Sequence, residues 1–307
     1  VFGWGILGTG DISASFVEGL AHAPGAGVAA VASRDAGRAE AFRVRSGALR
    51  AHVEVEALAN DPDVDIVYIG TPHVRHASDA LTCIEAGKSV LVEKPMATSA
   101  ADAAAIFSRA QARGVLVMEA MWTRFFPAMD QIFEIAKDVE LLQADFGFSG
   151  DRSSEPRLFD PAYAGGAILD VGVYPLWLAI GLLGPPIKLA AAGHIGPTGV
   201  DERAGMTLTH ASGALSVISC AITADTASEA TIYGPMGTIR IDMPWWRPSR
   251  YRIGAKTFEA PYLGNGYAHE AIEMMRCLSA GERESPRLPH AVTLDVLRAA
   301  DLARKLI

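Results

Sequence analysis

Gly3-Trp4-Gly5-Ile6-Leu7-Gly8-Thr9-Gly10-Asp11-Ile12-Ser13 opens the chain with an apolar run, a glycine-bracketed loop and the start of a helical pattern. Gly8 permits a tight turn, and Gly10 lets a pyrophosphate approach the backbone. The third position must be small so that the helix can pack on the strand, and Ser13 is small. Phosphates would accept hydrogen bonds from the N–H groups that begin the following helix, residues 12–22. A GxGxx-small string is weak by itself, and a plain glycine turn is its other reading. Its context favours dinucleotide binding: a strand before it, a helix after it, and a second strand over 27–32.

Outward from this loop, strand-like and helix-like segments alternate through the first 120 residues. The pattern predicts helices over 35–45, 76–86 and 100–113 and strands over 66–70, 90–92 and 115–118, with Gly87 as a helix stop. Short connections between such segments imply a parallel sheet with helices on both faces, and apolar runs without alternation fit strands buried on both sides. From about residue 140 the chain reads mostly as strands, over 141–148, 189–195, 204–210, 214–222, 229–233 and 237–242. Ser212-Gly213 and Pro235-Met236-Gly237 read as hairpin turns, which makes this sheet antiparallel. Helices over 267–279 and 291–306 close the chain.

Composition narrows the function classes. The chain has 307 residues, half of them hydrophobic, enough for two domains with sizeable cores. Its 27 basic and 35 acidic residues give a net charge of −8, which argues against nucleic acid as a main partner and leaves room for a small anionic cofactor. Cys83, Cys220 and Cys277 are widely spaced, so neither a disulfide framework nor a cysteine zinc site is expected, and a cytoplasmic setting fits. No cluster of His, Asp and Glu has ligand spacing, so no metal is expected. The longest apolar run, 174–187, is broken by Pro175, Gly181, Gly184 and Pro185, and no membrane span is expected. No signal peptide is visible, and the start at Val1 without methionine fits a trimmed N-terminus.

The strand ends carry the chemistry. An NAD site places Asp or Glu after the second strand to hold the ribose 2′-OH; here the chain continues Ser33-Arg34-Asp35. Arg34 could stack on adenine and bond a 2′-phosphate, which favours NADP over NAD, whereas a solvated loop charge is its plainer reading. Asp35 has a separate role as the N-cap of the next helix. Residues 66–70 run into Thr71-Pro72-His73-Val74-Arg75-His76, and 90–92 run into Glu93-Lys94-Pro95, both at the edge where open α/β sheets bind ligands. Pro95 biases Lys94 toward extended backbone, so the strand is expected to continue through it.

The phosphate loop, the TPHxxH string, EKP and GGAILDVGVYP (165–175) together resemble the Gfo/Idh/MocA oxidoreductase family over essentially the whole chain. MEAMWTRFFP (118–127) resembles its NADP-dependent dihydrodiol and D-xylose dehydrogenase branch. The resemblance implies a Rossmann domain with a parallel sheet over 1–121. It also implies an α+β substrate and dimerisation domain over 122–307, with an open-faced, largely antiparallel sheet; the last helix is a candidate to pack back on the first domain. It implies that Lys94 is the active-site lysine and Tyr174 the catalytic tyrosine, where many members carry histidine. His73 and His76 match cofactor-contacting positions, although polar residues at a helix start explain them equally. The expected cofactor set is Gly8, Thr9, Gly10, Asp11, Ile12, Ser33, Arg34, Thr71, Pro72, His73, His76, Glu93, Lys94, Trp122 and Arg124. Trp122 and Trp246 serve a pocket or the core, and Glu119 and Arg124 a structural pair or the cofactor.

The chemistry also stands on its own. Asp170 and Tyr174 are spaced i, i+4 in a helix opened by Gly165-Gly166, and Pro175 should distort that helix. Oxidising an alcohol needs a base for the hydroxyl proton, and tyrosine, with a reference pKa of about 10, serves only if an ammonium stabilises its phenolate. Lys94 would supply that charge, and Asp170 would orient Lys94 or a substrate hydroxyl. His269 and Glu270 read as surface residues. The resemblance implies a sugar or vicinal diol as the substrate. Another sugar oxidoreductase of the same family or a non-catalytic nicotinamide sensor is the alternative, and the open sheet face is expected to pair two copies.

Overall fold

The computed structural model describes residues 1–307. The first stretch contains β1 (Phe2–Leu7), α1 (Asp11–Leu20), β2 (Ala26–Ser33), α2 (Ala36–Ser46), β3 (Arg50–Val53), α3 (Val55–Ala59), β4 (Ile66–Ile69), α4 (His73–Glu85), β5 (Ser89–Glu93), α5 (Ala100–Arg113) and β6 (Val117–Ala120). Then come α6 (Pro127–Ile135), β7 (Leu141–Gly147), a π-helical turn (Ile168–Gly172), α7 (Val173–Leu183), β8 (Pro186–Ile195), β9 (Asp201–His210), β10 (Leu215–Ala221), β11 (Ala230–Gly234), β12 (Gly237–Ile241), β13 (Arg250–Ile253) and β14 (Lys256–Glu259). The closing helices are α8 (Ala268–Ser279) and α9 (His290–Leu306). Short 3-10 turns cover Trp122–Phe125, Pro156–Phe159 and Pro161–Tyr163.

The chain divides into two units. One holds Val1–Ala97, Ala101–Trp122 and Tyr262–His290; the other holds Thr98–Ala100, Thr123–Pro261 and Ala291–Ile307. The first unit is a six-stranded parallel sheet in the order β3-β2-β1-β4-β5-β6, with the order reversing between β1 and β4. β4, β5 and β6 are buried along their whole length, as apolar runs under two helical layers must be. β3 and α3 escape a sequence reading because Arg50-Ala-His-Val53 is short, polar and at the sheet edge. β5 stops at Glu93, one residue short of the expected Lys94, and the Lys94–Pro95 bond is cis. α4 begins at His73, a turn earlier than its apolar pattern, because Pro72 supplies the N-cap backbone.

α9 starts in the first unit with His290, stacked on Phe107 at 3.9 Å, and runs in the second from Ala291, while the helix that returns whole to the first unit is α8. Its reason lies on α1: a Cβ on Gly19 would come within 2.5 Å of the Tyr267 Cβ, so α8 sits tight against that bare position. Asn265 Nδ2 donates to the Ser15 carbonyl at 2.8 Å and fixes the approach.

The second unit is an eight-stranded sheet in the order β14-β13-β12-β11-β7-β10-β9-β8. All its ladders are antiparallel except β7 with β10. One face is covered by the π-helical turn and α7, so close to β10 that a Cβ on Gly172 would lie 3.0 Å from Cys220 Sγ. Every residue from Val173 to Ile180 in α7 is buried, which is why its sequence is apolar all round. The helical stretch Pro161–Leu183 is long and apolar enough to cross a membrane, longer than the broken run expected, but most of it is buried in this unit as a core helix. The other face is open, and Leu215 and Val217 on β10 point out of it.

Candidate active site

In the first unit the ligand edge is formed by the loops after β1, β2, β4 and β5. Gly8 has φ +102°, and its neighbour Gly70 leaves no room for a side chain: a Cβ on Gly8 would meet the Gly70 carbonyl at 2.7 Å. Gly10 is the N-cap of α1 and offers no side-chain cap, so the first-turn amides of Asp11, Ile12 and Ser13 have no partner within the helix. A Cβ on Gly10 would touch nothing within 4 Å, so the space in front of these amides is open. That cradle fits a dinucleotide pyrophosphate.

At the end of β2, Asp35 is taken up as the α2 N-cap: it accepts the Arg38 amide at 2.8 Å, and its own N–H is 3.3 Å from Ser33 Oγ. Arg34 and Arg38 are exposed at the same helix start. Arg38 went unread in the sequence, although its place one turn after Arg34 was the signal.

The TPHxxH string is fastened by its polar side chains. Thr71 Oγ1 donates to Asp79 Oδ2 at 2.8 Å, and Arg75 holds the other Asp79 oxygen at 2.8 Å. His76 is buried between two carbonyls, Pro95 O at 2.8 Å from Nδ1 and Thr71 O at 2.7 Å from Nε2. Burial lowers its pKa despite those carbonyls, so the ring is neutral at pH 7 and donates to one of them at a time. It thereby ties the loop after β4 to the EKP loop. His73 is buried at the head of α4 with its ring 5.6 Å from that of His76. Trp122 stacks on Tyr267 at 4.4 Å. Arg124, in the second unit, pairs with Asp130 at 2.8 Å and lies over the Phe133 ring at 4.4 Å.

Lys94 is in range of Glu93 and His76, each of whose protonation feels its charge. The Glu93 side chain is buried, and Tyr68 Oη–H donates to its Oε1 at 2.8 Å. Glu119 accepts the Met96 amide at 2.9 Å. Glu270, expected at the surface, is fully buried: α8 turns that position inward against α1.

The second unit carries Asp170 and Tyr174. The expected distortion before Pro175 takes the form of the π-helical turn Ile168–Gly172, a single widened turn where a proline N–H is missing. Gly166, at φ +121°, opens it against Asp201, whose carboxylate accepts the Ile168 amide at 2.6 Å. Asp170 is buried and is approached by the half-exposed Arg157 at 3.4 Å. Tyr174 is 6% exposed and borders Phe146 at 5.3 Å, and Phe146 stacks on Trp246 at 3.5 Å. Trp246 is braced by Thr123, whose hydroxyl donates to its carbonyl at 2.7 Å. Phe146 and Arg157 went unread in the sequence, because only the folded sheet and turn bring them to Tyr174 and Asp170.

Fold and site together define a dinucleotide-linked oxidoreductase, and comparison with known proteins narrows the class. Residues 2–121 match the family described as an oxidoreductase family with an NAD-binding Rossmann fold, and 138–240 match the GFO/IDH/MocA C-terminal domain. The chain belongs to the GFO/IDH/MocA oxidoreductase family. It is 35% identical to the trans-1,2-dihydrobenzene-1,2-diol dehydrogenase of Mus musculus, over 99% of this chain and 96% of that one. It is 33% identical to the enzyme of that name from Homo sapiens, over 93% and 91%. Among solved structures it resembles a 3-ketoreductase from Actinomadura kijaniata in complex with NADP and TDP-benzene, with a TM-score of 0.84, 25% identity and 98% and 95% coverage.

Proposed function

We propose that the chain is an NADP-dependent dehydrogenase that oxidises a hydroxyl carbon of a vicinal diol or a cyclic sugar. The observation that carries this reading is Tyr174, a buried phenol in the first turn of α7, directly after the π-helical turn that holds Asp170, and bordered by Phe146, on which Trp246 stacks. Relatives named for a dihydrodiol dehydrogenase activity, matched along almost the whole chain, support the substrate class.

When bound, the nicotinamide supplies the hydride acceptor. Tyr174 takes the hydroxyl proton as the carbon is oxidised. The Lys94 ammonium stabilises the phenolate, without which a phenol of reference pKa about 10 is a poor base at neutral pH. Asp170, with Arg157 beside it, orients the neighbouring hydroxyl. The Phe146–Trp246 wall stacks against a flat ring or the apolar face of a sugar. Asp11, Ile12 and Ser13 would hold the pyrophosphate with their backbone amides, aided by Gly8, Thr9 and Gly10. Thr71, Pro72, His73 and His76 would frame the nicotinamide side, with Trp122 and Arg124 bounding it and Glu93 behind Lys94. Ser33, Arg34 and Arg38 would bind the 2′-phosphate. Three buried free thiols fit a reducing cytoplasm. The open sheet face pairs with a second copy of the chain.

The test follows NADP reduction with trans-1,2-dihydrobenzene-1,2-diol and a panel of aldoses. The expected result is turnover of at least one, lost by about 10²–10⁴-fold in Tyr174→Phe and sharply reduced in Lys94→Met. Tight NADP binding with no turnover of any compound would point to a sensor instead. Wild-type kcat in both variants would overturn the assignment.

A further inference from the structure

Behind Lys94 the first unit buries more acid than a hydrophobic core tolerates in ionised form. Glu93 and Glu270 come from β5 and α8, and both side chains are buried, Glu270 completely. Their surroundings differ. Each Glu93 oxygen accepts a hydrogen bond, Oε1 from Tyr68 Oη–H at 2.8 Å and Oε2 from the Lys94 amide at 3.1 Å. Neither Glu270 oxygen has any hydrogen-bond partner. Tyr68 is itself fully buried and is clamped by Phe16, stacked at 3.8 Å.

We propose that Glu93 and Glu270 form a buried acid pair, in which Glu93, hydrogen-bonded by Tyr68, is the carboxylate that balances Lys94 and Glu270 is the acid that keeps its proton. The proposal rests on the reading of Lys94 as the active-site lysine. An ionised carboxylate without partners in a dry interior is too costly to persist, so Glu270 keeps its proton. Two acids in mutual range do not both ionise freely, and the one with donors and a cation ionises first. That one is Glu93. The groups facing it are Tyr68 from β4, Lys94 just after its own strand, Glu119 from β6 and Glu270 from α8, while Tyr267, just before that helix, acts on Tyr68. Burial, opposed by Lys94 and the Tyr68 hydrogen bond, pushes the Glu93 carboxyl up to about 7. Burial and then the Glu93 charge push Glu270 well above the carboxylate range. In its charged form Glu93 sets a negative charge beside Lys94, the proposed partner of the phenolate. Glu93, Tyr68 and Glu270 are thus positioning residues that act through Lys94.

Infrared difference spectra of the full chain, titrated across neutral pH, read the protonated carboxyl C=O stretch directly and need no substrate. The wild type is expected to lose one buried-acid band in the neutral range and keep another on the alkaline side of it, where ordinary carboxyls are ionised. The first band should be absent in Glu93→Gln and the second in Glu270→Gln. Tyr68→Phe, which keeps the ring stacked on Phe16, should move the Glu93 titration upward by about one to two pH units, because the carboxylate loses a charge-assisted bond. A purely structural tyrosine would leave that titration in place. If a substrate is turned over, the alkaline limb of kcat/KM against pH should fall to lower pH in Glu93→Gln. No turnover would sink the proposed function and leave the infrared result standing. No acid band surviving the Glu93 titration, or an unchanged spectrum in Glu270→Gln, would overturn the buried acid pair.

Discussion

At the scale of single residues, cofactor choice turns on the end of β2. No carboxylate is free there to take a ribose 2′-OH, since Asp35 is spent on capping α2, and two exposed arginines stand beside it. A charge-assisted hydrogen bond contributes roughly 1.5–3 kcal/mol, so Arg34→Ala should raise KM for NADP about 10- to 100-fold and leave KM for NAD nearly unchanged. Initial rates with both cofactors decide it; equal effects on both would mean that Arg34 is a solvated charge. This scale also shows what was legible from sequence. Lys94 and Tyr174 stand out as candidates in the sequence because each sits in a string of restricted backbone, EKP and DVGVYP. Tyr68, Glu270 and Phe146 look like ordinary core or surface positions in a linear reading. Their meaning lies in what they touch, and Glu270 in particular is polar on a helix whose inward face is set by the bare Gly19 of another segment.

At the scale of elements, the π-helical turn is the piece most dependent on its support. A Cβ on Gly166 would need the left-handed region of backbone space and would come within 2.4 Å of Asp201 Oδ1. Gly166→Ala should therefore destabilise the fold by about 2 kcal/mol or more and lower kcat with it, because Asp201 would release the Ile168 amide that starts the turn. Denaturant melts and kcat on the same preparation check this, and a fully stable variant with native kcat would refute it. The elements that sequence reading found are those with long apolar patterns or glycine and proline punctuation: β1, β2, β4, the helices of the first sheet, and the hairpins at Ser212-Gly213 and Pro235-Met236-Gly237. It missed β3, β13 and β14, short strands at or next to a sheet edge that are stabilised by pairing rather than by any periodicity of their own, and the short helices α3 and α6. It also missed the parallel pairing of β7 with β10, because tight turns specify neighbours in sequence and say nothing of a strand inserted between distant ones.

At the scale of the whole molecule, two expectations are open to measurement. Along the open face, Leu215 and Val217 stand 41% and 43% exposed. Val217 is flanked by Gln143 and Thr207 and Leu215 by Leu141 and Thr209, with Ala190 and Ala192 beyond on β8. Apolar Leu215 and Val217, exposed among uncharged Gln143, Thr207 and Thr209 with Lys188 at the margin, suit a second copy, so Val217→Arg should convert a dimer into a monomer by light scattering, with the melting temperature checked separately. A wild-type chain that is already monomeric at high concentration would refute the pairing. The second expectation concerns acid. Glu273 on α8 is buried; burial raises its pKa, but Arg276, Ser285 and Arg287 outweigh that and hold the carboxyl down at about 2. A carboxyl whose folded pKa lies below its unfolded value stabilises the fold above roughly pH 4.5, and that contribution drains away as pH falls toward 2. Glu273→Gln should thus cost on the order of 2–3 kcal/mol near neutrality, the gap to wild type closing as pH approaches 2. A gap independent of pH would show that packing rather than charge is responsible.

The division of the chain has a consequence for its birth on the ribosome. The nucleotide unit is interrupted: after Trp122 the whole second sheet must be made before α8 arrives to cover α1. From Trp122 to Ser279, the end of α8, is 157 residues, which at ~5–20 residues per second is roughly 10–30 s of synthesis. For that interval the growing chain carries a half-finished cofactor unit whose α1 surface, bare at Gly19, waits for a helix not yet translated. Protection during that wait, by a chaperone or by simple delay in folding, is part of what this connectivity demands of the cell.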